Sequence, residues 1–116
     1  MPLHVRLLVA DAARAASVYE ALGFERIHAD PVFVHLRWAR YADVFLVAQP
    51  PGMGLPSRGA GVLLCFAAVE VDLETIAARA QAAGLRAEGP QAQPWHTREL
   101  TVADADGYRL VFTAPA

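Results

Sequence analysis

A segment near the start of the chain recurs past its middle, and a chain that repeats itself is best read as paired copies of one unit. Leu7-Leu8-Val9-Ala10-Asp11 leads into Ala12 to Leu22 and stops at Gly23-Phe24. Later, Ala68-Val69-Glu70-Val71-Asp72 leads into Leu73 to Ala83 and stops at Gly84-Leu85. The stretches from Asp11 to Gly23 and from Asp72 to Gly84 are of equal length. Between the copies, Gln49 to Gly61 gathers glycine and proline outside any periodic segment and reads as a linker. The organisation is therefore one domain over 1–116, built from a module at 1–48, a linker at 49–61 and a second module at 62–116.

Each copy opens with a strand signal. In the first, Val5, Leu7 and Val9 alternate with His4, Arg6 and Leu8. A helix follows, with Ala12, Ala15, Tyr19 and Leu22 on its apolar face, Asp11 as N-cap and Gly23 at the left-handed C′ position. In the second copy Asp72 caps, Glu74 suits the positive helix end, and Leu73, Ile76, Ala80 and Ala83 form the stripe. Three strands are predicted after each helix: Phe24–His28, Val32–Ala39 and Asp43–Ala48, then Leu85–Glu88, Arg98–Ala103 and Tyr108–Thr113. Asp104-Ala105-Asp106-Gly107 reads as a hairpin turn. The unit is βαβββ, written twice, and the fold class is α+β.

Composition excludes several functions. The 55% hydrophobic content owes much to alanine, and no apolar run approaches a membrane span. Met1-Pro2-Leu3-His4 lacks the basic start and apolar stretch of a signal peptide. A net charge of −2, with no extended basic cluster, leaves no nucleic-acid footprint. The single cysteine, Cys65, fits a reducing cytoplasmic setting; between Leu64 and Phe66 it is expected to be a buried, inert thiol. Gly52-x-Gly54 lacks the lysine of a phosphate loop, and neither Ser17 nor Ser57 sits in a nucleophile elbow. A small-molecule or protein-binding domain remains.

The doubled module, with Tyr19-x-x-Leu22-Gly23-Phe24 closing the first helix, resembles the vicinal oxygen chelate superfamily. That group includes glyoxalase I, extradiol dioxygenases, and bleomycin and fosfomycin resistance proteins. Pro94-Trp95-His96-Thr97-Arg98-Glu99, followed by Asp104-Ala105-Asp106-Gly107-Tyr108-Arg109-Leu110, is similar to its "PWG-x-R … DPDG-x-R-L" ending. His96 replaces the Gly of that pattern and Ala105 the Pro. The resemblance implies two paired modules forming a curved mixed sheet with a ligand cup, helices on the convex side, and a homodimer.

It also implies, for catalytic members, one divalent metal held by a His or Gln on the first strand and a Glu on the last strand of each half. Here the first-strand positions fall on His4 and on either Leu63 or Cys65. The last-strand positions fall on Val111 and on Phe45 or Leu46. With both carboxylates replaced, the charge that holds a hard cation is lost. The expectation is no cofactor, with His4 as the one weak metal candidate and a substitute site from His4 and Glu99 as a remote variant.

The residues expected to contact a ligand are His4, Trp38, Trp95, His96, Glu99 and Arg109. His4 should face the cup, as a ligand contact or as a hydrogen-bonded structural histidine. Trp38 shares a strand face with Val34 and Leu36, so it serves either an aromatic wall or the core. His35, Arg37 and Phe33 take the opposite face, toward the cup or solvent. Glu99 and Arg109 either orient a ligand or pair with each other across strands. The function expected from the resemblance is metal-independent binding of a small aromatic or amphipathic molecule. The alternative is a metal-dependent lyase or dioxygenase with an atypical ligand set including His4, and a third reading is a subunit that only dimerises. Whether the chain is catalytic does not follow from its residues.

Overall fold

The structure is a computed structural model that describes residues 3–53 and 58–116. The linker positions Gly54 to Ser57 lie outside the described residues. The chain divides into two compact units, Met1–Arg58 and Gly59–Ala116.

In the first unit, β1 (His4–Val9) leads to α1 (Ala12–Leu22), then β2 (Glu25–Ala29), β3 (Phe33–Trp38) and β4 (Ala42–Ala48). The second unit has β5 (Leu63–Ala67), α2 (Leu73–Ala82), β6 (Arg86–Ala92), β7 (Thr97–Ala103) and β8 (Arg109–Pro115). Each forms an open four-stranded mixed sheet, in the orders β1-β4-β3-β2 and β5-β8-β7-β6. The first strand of each module runs parallel to its last, and the other pairs are antiparallel. The fold is thus α+β, one βαβββ module used twice.

The helices start and stop where the repeat implies. Asp11 is extended and its Oδ1 accepts from the Arg14 N–H at 3.1 Å, while Asp72 Oδ1 accepts from Thr75 N–H at 2.7 Å. Gly23, at φ 123°, turns the chain out of α1, and its N–H donates to the Glu20 carbonyl. α2 ends one residue earlier than predicted, with Ala83 as its C-cap and Gly84 in the left-handed region. Its buried stripe is accordingly Leu73, Ile76 and Ala80, and Ala83 is only half-buried. On α1 the buried face is Ala12, Ala16, Tyr19 and Leu22, so Ala16 replaces the predicted Ala15. At 3.6 residues per turn, Ala15 and Ala16 flank the line joining Ala12 to Tyr19 on opposite sides, and the sheet covers the Ala16 side more fully.

Burying those faces is the main stabilising term. Tyr19 is 1% exposed and meets Phe24 edge-on at 5.2 Å, and Phe24 meets Trp38 at 5.0 Å. Emptying such a site costs about 3–5 kcal/mol. In the second unit Leu100, Leu110 and Phe112 are fully buried, and Arg98 of β7 bonds Glu74 in the first turn of α2. That contact, opposed by slight desolvation, holds the Glu74 carboxyl below its ordinary value.

All six strands predicted after the helices shift at one or both ends, and two of these shifts have a visible physical cause. β2 begins at Glu25 because the Phe24 ring is taken into the core. β6 continues through Gly89-Pro90, where the prediction stopped at Glu88. The ladder slips between Glu88 and Gln91, and this bulge absorbs the proline that would otherwise break pairing. A side chain at Gly89 would approach the Glu99 carbonyl to 2.6 Å, so only glycine fits there. The Asp104–Gly107 turn forms as read, with Asp104 Oδ1 accepting from the N–H groups of Asp106 and Tyr108. Among the described residues no helix is long and apolar enough to cross a membrane.

Candidate functional site

Alternation gives each sheet a helix-packed face and an open face. In the first unit Leu7, Val9, Val34, Leu36, Val44 and Leu46 are buried on the helix side. Their neighbours in sequence stand on the open side, and strand register arranges them in three rows. Glu25, Arg37, Asp43 and His4 form a charged row. His28, His35, Phe45 and Arg6 form a second, dominated by rings. Phe33, Val47 and Leu8 form an apolar third. One face therefore runs from charged to apolar.

The rings are in contact. His35 stacks on Phe45 at 4.3 Å with planes 11° apart, and His4 meets the same ring edge-on at 4.9 Å. Phe33 lies 6.0 Å from Phe45 and 5.5 Å from His28. Beside them Asp43, 5% exposed, is the buried charged residue among those described. His35 Nε2 is 2.7 Å from Asp43 Oδ1, and Arg37 Nε donates to the same oxygen at 2.9 Å. Burial pushes the Asp43 carboxyl up, but the His35 and Arg37 hydrogen bonds and their charges together outweigh it. The group is held below the ordinary carboxylate value.

The open face of the second unit is different. Its matching rows are Arg86–Ala103–Arg109–Leu63, Glu88–Thr101–Val111–Cys65 and Gln91–Glu99–Thr113–Ala67. Arg109 borders a cleft of about 390 Å³ with Arg86, Glu88, Thr101, Ala103 and Gly107. Glu99 instead accepts from the exposed Trp95 indole N–H at 3.2 Å and from Thr97 Oγ1 at 3.4 Å. The Glu99–Arg109 pair does not form, because Glu99 lies opposite Thr113 and Arg109 opposite Ala103.

The other expected residues separate as well. Trp38 is 4% exposed, on the helix side against Phe24, so its ring belongs to the core and is corrected out of the ligand-facing group. His4 accepts from Arg6 Nε at 3.2 Å on the open face. His96 is exposed, with φ 67°, and the Ala116 N–H donates to its carbonyl. A left-handed φ is why the resembled motif carries Gly there. Cys65 is exposed on the open face of β5, not buried, because Phe66 takes the inward position. Asp43 and His28 are absent from the residues expected to contact a ligand, and Phe45 enters only as one of two candidate ligand positions on the last strand. Alternation within 42–48 is the signal that puts Asp43 and Phe45 on one face.

Register also resolves the metal-ligand positions. His4 pairs with Asp43 and Leu63 with Arg109, each one residue before the helix-facing Val44 and Leu110. Leu63 is therefore the counterpart of His4, and Cys65 the counterpart of Arg6. On the last strands the open-face counterparts are Phe45 and Val111, whereas Leu46 is fully buried on the helix side. His4, Phe45, Leu63 and Val111 supply one donor for a divalent cation, so these positions do not fit the metal. Among the described residues no three His, Cys, Asp or Glu side chains cluster to hold one.

Residues 2–112 match the sequence model of the Glyoxalase/Bleomycin resistance protein/Dioxygenase superfamily. The chain belongs to this superfamily. No curated protein sequence matches it. Among solved structures it is similar to TnmS3, an antibiotic binding protein from Streptomyces sp. CB03234, at 25% identity and TM-score 0.72, covering 97% of this chain and 93% of that one. A bleomycin-binding protein complexed with bleomycin matches at 19% identity and TM-score 0.72, with 98% of both chains covered. An integron cassette protein from the Halifax Harbour sewage outfall metagenome matches at 24% and 0.76, covering 97% and 96%. The last two likenesses are of fold. The doubled module is present whole, and three of the four positions at which the resemblance implies metal ligands carry apolar side chains, Phe45, Leu63 and Val111.

Proposed function

We propose that this superfamily member binds a small aromatic or amphipathic molecule, without a metal, on the open face of its first sheet. One observation carries the reading: Phe45 stands where the superfamily's carboxylate would be, and it forms the centre of a ring cluster with His4, His35 and Phe33. A flat ring gains contact area there, and the charged row beside it suits a polar end. The antibiotic-binding and bleomycin-binding relatives support small-molecule binding as the activity.

The test is calorimetric titration of 4-nitroanisole and of bleomycin into protein freed of metal, with and without excess chelator. Equal affinities are expected in both conditions. Binding that appears only when a divalent metal is added, and that disappears in His4→Ala, would establish the metal-dependent lyase or dioxygenase reading instead. The homodimer and the cytoplasmic setting belong to the same proposal. Exposed Val62, Leu63 and Trp95 offer apolar surface for a second copy, and sedimentation velocity reads the mass directly.

A further inference from the structure

The Asp43 carboxylate is ionised and can only accept, so the shared hydrogen of the His35–Asp43 contact sits on His35 Nε2. In the neutral ring this leaves Nδ1 with a lone pair. Nδ1 has no hydrogen-bond partner among the described residues. No buried side-chain nitrogen or oxygen lacks a partner among them either, so Nδ1 is open to solvent. An oriented acceptor therefore lies in the ring row, on an imidazole fixed from one edge by Asp43 and from one face by Phe45. A ligand ring packed against this cluster lies beside the imidazole that carries that nitrogen.

We propose that His35 Nδ1 is a specificity-determining acceptor, and that the ligand class is an aromatic ring bearing a hydroxyl. The inference rests on the aromatic-binding reading above and adds what the ring must carry. The phenolic O–H donates to Nδ1, and the Asp43 carboxylate that accepts from Nε2 polarises the ring and strengthens Nδ1 as an acceptor. The other charged and titratable groups on the face are His4 and Arg6 from β1, Glu25 and His28 from β2, and Arg37 from β3. Arg6 and Arg37 can only donate, and His4 Nε2 already accepts from Arg6, so none of the three supplies the acceptor that a hydroxyl needs.

The experiment compares 4-nitrophenol, below its own ionisation, with 4-nitroanisole, which has the same ring and no donor. The native protein should prefer the phenol by about tenfold, the scale of one hydrogen bond to an otherwise unpaired acceptor. His35→Phe keeps a ring against Phe45 and should bring the two affinities together, so the ratio of phenol to anisole binding within the variant is the readout. Equal binding of the two compounds to the native protein overturns the inference and leaves the aromatic reading standing. Failure of both compounds to bind overturns both. A preference that survives in His35→Phe also sinks the role of Nδ1. Should that variant fail to fold, the nitrogen-15 resonance of His35 Nδ1 in the native protein decides. It must move on adding 4-nitrophenol and stay still with 4-nitroanisole, and any other pattern overturns the assignment.

Discussion

The open face of the first sheet carries His4, Phe33, His35 and Phe45, where the same positions of the second carry Leu63, Glu99, Thr101 and Val111. On the helix-packed side the units barely differ: Leu36, Val44 and Leu46 correspond to Val102, Leu110 and Phe112, all buried. A position under a helix must fill a fixed space at core density, so both copies keep large apolar residues there. Positions on the other face are less uniformly buried, Asp43 and Val111 being the buried ones there among the described residues. Divergence between the copies has collected on that side, and the ring cluster and the buried Asp43 exist in one copy alone among the described residues. This contrast is why the proposed ligand face is the first sheet's and not the second's.

Substitutions can break that contrast. The largest effect is expected at Asp43, where Asp43→Asn should cost about 2 kcal/mol by urea unfolding, since it weakens charge-assisted bonds to His35 and Arg37. Glu99→Gln, at the half-exposed position in the second unit, should stay within about 0.5 kcal/mol. The pH dependence has a definite sign. Asp43 is lowered in the folded state, so its contribution is complete above the ordinary aspartate value near ~3.9. It is lost as pH falls through the lowered folded value, and the native-minus-Asn difference in melting temperature should shrink there.

Next in size is Phe45→Ala, which should weaken 4-nitroanisole binding by about tenfold, roughly 1.4 kcal/mol. Thr101→Ala, opposite its counterpart Val111, should leave that affinity unchanged in the same titration. If the second substitution weakened binding as much as the first, the contrast between the sheets would fail. The smallest effect concerns His96, at φ 67°. His96→Gly should raise stability by about 0.5 kcal/mol, the left-handed strain relieved less the entropy that glycine adds to the unfolded chain. Denaturant midpoints resolve a change of that size.

Much of the fold was legible from local signals. Capping by Asp11 and Asp72, the exit at Gly23 and the Asp104–Gly107 turn depend on a few neighbouring residues, and they formed as read. Errors entered where the deciding partner was distant. β6 was cut short at Glu88 because a Gly-Pro pair looks like a stop until its partner strand accommodates a bulge. For Trp38 the sequence favours the core without excluding an aromatic wall, and the Phe24 ring packed against it places it in the core. Cys65 sat between apolar neighbours, yet a strand turns alternate residues to opposite faces and sent it outward.

The sequence by itself determined the module and its duplication, because periodicity and capping are local properties. Only the tertiary structure decided which residues share a face. Asp43 meets His35 and Arg37 across adjacent strands, and His35 stacks on Phe45 from the neighbouring strand. Such contacts follow from register, and a shift of one residue would turn every one of these side chains to the opposite face.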